Sequence, residues 1–281
     1  MKKILVPIDD ADHSLRALEY AGIVASVFKA EVVALHLIDP KLFKSKKDFH
    51  LALNNFVDEQ VRPKFKKAIQ SNPAMTKIRL ETRALQSEIS EHILEFKDEL
   101  EADFIVMSSQ GLRSRDEWEL RFQNTNAYKV ILKSDVPVFS FTQLPEQVSI
   151  RHILVPIDDS EGSLLKIPYA VKIARNLKAS ITLFSAVSSE KDKNTTDSTH
   201  SRLLDELQIH NLQITSEIKF ADELPETMMK FGEEIKADLF IIMNRPSNRW
   251  SDFFITPGAK KIISFSKIPV LSLPGTVNDN L

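Results

Sequence analysis

Apolar residues in this chain follow two rhythms. Ile4 to Ile8, Glu31 to Ile38 and Phe104 to Met107 are short, nearly unbroken apolar runs rich in β-branched residues. Such runs predict buried strands. From Ser14 to Lys29 the residues Leu15, Leu18, Ala21, Val24, Ala25 and Phe28 recur three or four apart, which predicts a helix. Phe49, Leu53, Phe56, Val57, Val61, Phe65 and Ile69 form a second helical stripe, with a kink expected at Pro63. Lys77 to Ala84 predicts a half-buried strand. Ser87 to Leu100 predicts a helix with Ser87 as its N-cap. Ala127 to Leu132 predicts a further helix, and Val136 to Phe141 a last strand. Strands that alternate with helices and are apolar throughout imply a parallel sheet covered on both faces.

The same order then returns. Met1 to Asp10 reads MKKILVPIDD and Ile150 to Asp159 reads IRHILVPIDD. At one constant offset Ser14 matches Ser163, Leu15 matches Leu164, Tyr20 matches Tyr169, Ala25 matches Ala174 and Ala30 matches Ala179. One unit has been used twice, which predicts a two-domain, pseudo-two-fold molecule with units at 1–143 and 150–275. Expected second-unit strands are Ile153 to Ile157, Ser180 to Ala186, Ile214 to Phe220, Leu239 to Met243 and Val270 to Leu273. Expected helices are Leu164 to Asn176, Arg202 to Leu207, Pro225 to Ile235 and Ala259 to Ser264. Ser188 to Ser201 is polar and charged and reads as a mobile loop. The linker is short, so the units are expected to pack closely.

Composition narrows the function. A formal net charge of −2 disfavours a general nucleic-acid surface. The absence of cysteine excludes disulfides, thiolate metal sites and a cysteine nucleophile. No apolar run approaches a membrane span and no leader pattern opens the chain, so the cytoplasm is the expected location. The 7 histidines show no metal-ligand spacing. No GxxxxGK[ST], GxGxxG or GxSxG motif occurs, so an enzyme with a defined substrate is not expected.

In an open parallel sheet ligands sit beyond the carboxyl ends of the strands. In the first unit this edge comprises Pro7 to Asp10, Leu37 to Asp39, and the stretch Ser108 to Thr125. A helix follows that stretch, and a helix N-terminus favours an anion.

Read in order, ILVPIDD, LHLID, Ala102-Asp103 before FIVM and VPVFSF in the first unit resemble the universal stress protein family. ILVPIDD, ADLFIIM and IPVLSL repeat the resemblance in the second, so the chain is similar to the tandem form of that family. The resemblance implies Rossmann-like or flavodoxin-like units, of the adenine nucleotide alpha hydrolase-like type, each a five-stranded parallel sheet flanked by helices. It also implies a regulatory or protective role in stress and, in many members, ATP held without fast hydrolysis. The family's phosphate loop reads glycine, two residues, glycine, nine residues, glycine, then serine or threonine. Glycines let backbone N–H groups approach phosphate, and the hydroxyl adds a donor.

This loop is altered here. The first unit places Ser108, Gly111, Asn124 and Thr125 at those positions, with twelve residues between Gly111 and Asn124. The second places Met243, Pro246, Thr256 and Pro257 there, and neither proline has an N–H. The resemblance therefore implies cofactor-binding residues Asp9, Leu37, Ser108, Gly111, Asn124 and Thr125, for ATP or AMP held weakly and by the first unit alone. Arg113, Arg115 and Arg121 supply nearby positive charge. Other readings stay open. Asp9 and Asp158 serve equally as turn caps, Thr125 as a plain helix N-cap, and the arginines as a solvated loop. The chain as a whole is a weak binder, a competent ATP switch, or a non-binding interaction module. Separate chains of the resembled family pair through their last strands, so the resemblance implies an intramolecular pseudo-dimer in which Val136 to Phe141 pairs with Val270 to Leu273 and two edges are hidden, with further homodimerisation open.

Overall fold

The computed structural model describes residues 1–9, 12–39, 58–59, 63, 78–84, 87–109, 125–145, 147–158, 161–221, 223–244 and 257–275. The expected helix over Phe49 to Ile69 lies largely outside them, as do Gly111, the three arginines, Asn124, Pro246 and Thr256. Chain contacts divide into two compact units, Met1–Ser108 and Ser109–Leu281.

The first unit contains β1 (Lys2–Ile8), α1 (Asp12–Phe28), β2 (Ala30–Ile38), β3 (Ile78–Ala84), α2 (Ile89–Leu100) and β4 (Phe104–Ser108). Its strands run parallel in the order β3-β2-β1-β4. The apolar run predicted a strand buried on both faces, and Ile4, Leu5 and Val6 are fully buried. The Ala102-Asp103 pair has a structural reason: Asp103 accepts from the Lys3 N–H at 2.8 Å, and its own N–H donates to the Lys3 carbonyl at 2.9 Å. This carboxylate fixes where β1 and β4 begin.

The second unit opens with α3 (Asn126–Lys133) and β5 (Val138–Phe141), which belong to the first sequence repeat. Then follow β6 (His152–Pro156), α4 (Glu161–Leu165), α5 (Ile167–Leu177), β7 (Ser180–Val187), α6 (Glu190–Leu207), β8 (Ile214–Phe220), α7 (Leu224–Glu234), β9 (Leu239–Met243), α8 (Pro257–Phe265) and β10 (Val270–Leu273). The order is β5-β10-β9-β6-β7-β8. The second repeat thus forms a five-stranded parallel sheet, β8-β7-β6-β9-β10. Asp238 repeats the role of Asp103, taking the Arg151 and His152 N–H groups at 2.8 and 3.0 Å.

β5 and β10 pair antiparallel, with Val270 opposite Ser140, Leu271 opposite Phe139 and Ser272 opposite Val138. The register is symmetric about Phe139 and Leu271, so the strand pair has a local two-fold axis. Equivalent bonds flank it: Ser109 N–H to the Phe141 carbonyl at 2.8 Å and Asn244 N–H to the Leu273 carbonyl at 2.9 Å.

Three expectations are corrected. Residues 188–201 form no loop. Ser189 caps α6, its hydroxyl accepting from the Asp192 N–H at 3.2 Å, and the helix runs to Leu207. Its buried face is Thr196, His200, Leu203 and Leu207, a helical stripe half polar and therefore invisible to a hydrophobic count. Secondly, α2 begins at Ile89, and Ser87 is not its N-cap; the Ser87 hydroxyl pairs with His92 Nδ1 at 2.7 Å. Thirdly, the single helix expected over Leu164 to Asn176 is two helices, α4 and α5, which meet at Lys166.

Candidate functional site

In the first unit three predicted site residues fall on neighbouring strands at one height. Ile8 of β1 lies opposite His36 of β2, which sets Asp9 beside Leu37. Ile4 lies opposite Phe104 and Leu5 opposite Ile105, and that register, continued, sets Ser108 beside Ile8. Asp9 is exposed at the carboxyl edge, Leu37 and Ser108 half-buried. The Ser108 hydroxyl oxygen is itself buried and makes no hydrogen bond. An exposed carboxylate and an unused hydroxyl at a sheet's carboxyl edge suit the hydroxyl groups and anionic groups of a polar ligand.

Leu37 also lines a cavity of about 200 Å³ between β2, β3 and α2. Its polar walls are engaged already. Arg83 pairs with Glu99 at 3.2 Å and stacks over the Phe96 ring at 4.9 Å. His92 is held by Ser87.

Thr125, in the second unit, is the N-cap of α3; its hydroxyl accepts from the Tyr128 N–H at 3.2 Å. That is the plain capping role.

At the second repeat's own edge, sequence reading named Asp158 but missed Lys166 beside it. Asp158, the counterpart of Asp9, is exposed just beyond β6. Its Oδ1 accepts from the Ser163 hydroxyl at 2.5 Å, and its N–H donates to the same hydroxyl at 2.9 Å. Lys166 Nζ donates to that hydroxyl too, at 3.4 Å. One O–H and two lone pairs are thereby all used. Lys166 is only 4 % exposed, and burial lowers its pKa to about 8, partly opposed by the Asp158 charge. The signal was present in the sequence: Lys166 sits where the repeat offset places Ala17.

Farther along, His200 bridges β7 and β8. Ser185 donates its O–H to the Ile157 carbonyl at 2.5 Å and so accepts from His200 Nε2–H at 2.8 Å. Nδ1 pairs with the Ser216 hydroxyl at 2.5 Å. These bonds pin α6 to the sheet. Met243 ends β9, and the next residue, Asn244, points inward, donating Nδ2 to the Ile131 carbonyl at 2.8 Å. Pro257 opens α8 without an N–H. Among the described residues no group of three or more metal-ligating side chains gathers, and no helix is long and apolar enough to cross a membrane.

The fold and its edge define an α/β protein built from two repeats, each with a polar carboxyl edge. The universal stress protein family model matches residues 1–140 and again 149–274. The chain belongs to the universal stress protein family, in tandem form. It is similar to a universal stress protein of Methanocaldococcus jannaschii, 28 % identical over 116 residues, which is 39 % of this chain. The match spans 65 %, just under two thirds, of that relative. Among solved structures, a universal stress protein of Archaeoglobus fulgidus has a TM-score of 0.76 at 18 % identity, over 98 % of both chains. A functionally unknown protein of Pseudomonas aeruginosa has a TM-score of 0.64 at 16 % identity, over 98 % of this chain and 92 % of the other. These two likenesses concern the fold alone.

Proposed function

We propose that this tandem universal stress protein acts in a regulatory or protective stress response, not as a metabolic enzyme, and that its first repeat takes an adenine nucleotide weakly while its second takes none. The observation that supports this is the alignment of Asp9, Leu37 and Ser108 on three adjacent strands at the carboxyl edge. The second repeat, by contrast, offers Pro257 where a helix N-terminal N–H would stand.

Calorimetric titration with Mg-ATP at low salt tests the reading. The expected Kd is on the order of 0.1 mM or weaker, about −5.5 kcal/mol, and Asp9→Asn should remove the heat. Low-micromolar affinity, or binding untouched by Asp9→Asn, would overturn it. A non-binding interaction module is the second reading, favoured by Thr125 being occupied as a helix cap. Mass spectrometry of the purified, denatured protein separates the two, since a module carries no nucleotide.

A further inference from the structure

Lys166 is an oddity in its own fold. The repeat offset matches it to Ala17, which is fully buried, whereas Ser163 matches Ser14 and Asp158 matches Asp9. The two repeats therefore share the acid and the serine and differ at the third position. There the second repeat places a long cationic side chain, 4 % exposed, at the junction of α4 and α5. A buried ammonium carries a desolvation cost that an alanine does not. In the first repeat the corresponding helix runs unbroken through Ala17, with no cation there.

What the ammonium reaches is the edge. Lys166 Nζ bonds the Ser163 hydroxyl, and that hydroxyl bonds Asp158 Oδ1. We propose that Lys166 is the residue that withdraws the second repeat from ligand binding: through Ser163 it supplies Asp158 with an internal cation and fixes its carboxylate. This rests on the nucleotide reading above and gives it a specific cause. A carboxylate that is charge-compensated from behind and held by a hydroxyl is a poorer acceptor for ribose hydroxyls. The first repeat has no cation at the equivalent position. The pKa of Lys166, lowered to about 8, leaves it mostly protonated at neutral pH, as the pairing requires.

The test uses the full chain with Asp side-chain carboxyls labelled for NMR, as wild type, Lys166→Met and Ser163→Ala. Methionine keeps the volume of the lysine stem, and Ser163→Ala cuts the bridge without touching the lysine. Both variants should move the Asp158 titration midpoint upward and leave Asp9 unmoved. Added adenosine should shift only Asp9 in wild type and both aspartates in the variants. An Asp158 midpoint indifferent to both substitutions would overturn the proposal. So would variants in which Asp158 is released and Asp9 answers adenosine while Asp158 stays silent. If neither aspartate answers adenosine in any form, the nucleotide reading fails, and with it the assigned purpose of Lys166. A shifted Asp158 midpoint would then still show the internal pairing.

Discussion

At the scale of residues, Lys166 gives a sharp pH dependence. Its folded pKa, about 8, lies below the ordinary 10.5. Between those values the unfolded chain binds more protons than the native one, so stability rises with pH across the window. Below pH 8 the cost is present in full, roughly 3 kcal/mol for a shift of this size. Chemical denaturation of the wild type should show stability climbing from pH 8 toward 10.5. Lys166→Met should be more stable at pH 7 and lack the climb; a flat wild-type profile would contradict the burial argument. A second residue-scale expectation concerns backbone angles. Lys29 and Lys178, equivalent in the two repeats, both close a helix with φ near 54° and 55°. A lysine in that left-handed region is strained, and glycine is not. Lys178→Gly should raise stability by about 0.5–1 kcal/mol, seen as a higher melting temperature. That Asp9, Leu37 and Ser108 share one edge was legible in the sequence, because strand ends in a parallel sheet lie together. Lys166 was not, because a lysine in a helical stripe reads as a solvated position until the two repeats are laid side by side.

At the scale of elements, the sequence pattern found each of the described strands, the central ones because a strand buried on both faces is apolar almost throughout. It failed at α6, whose buried face includes Thr196 and His200. Those side chains are buried through hydrogen bonds, and no hydropathy pattern records that. His200→Ala would leave Ser185 and Ser216 without their partner. The expected loss is about 2 kcal/mol, with faster amide exchange along α6 than along α5. Unchanged exchange would mean that Leu203 and Leu207 alone hold the helix. Packing of α7 on the sheet is equally specific. A Cβ on Gly232 would land on the ring of Phe240, which is fully buried in β9. Gly232→Ala should therefore cost about 1–3 kcal/mol through overpacking, despite alanine's better helix propensity.

At the scale of the whole molecule, the compact units and the sequence repeats do not end at the same residue. The sequence repeats run over 1–143 and 150–275, and the contacts, which divide at Ser108, group α3 and β5 with the second repeat. The pairing of β5 with β10 is the cause within that unit. That pairing was expected from the family resemblance and is observed; Val138 to Phe141 alone does not announce it, because a strand's partner is chosen by the whole sheet. Removing residues 266–281 should bare the β5 edge and produce dimers or larger species by sedimentation velocity. A monodisperse truncated chain would show that the edge is protected by other means.

That pairing also sets a clock. Val138 leaves the ribosome well before Val270, and at about 5–20 residues per second the interval is on the order of ten seconds. Until then the nascent chain presents a strand that the fold buries throughout and whose partner has not been made. Two chains translated side by side on one message could join β5 to β5 before either β10 exists. The tandem arrangement keeps the correct partner tethered, but it arrives last.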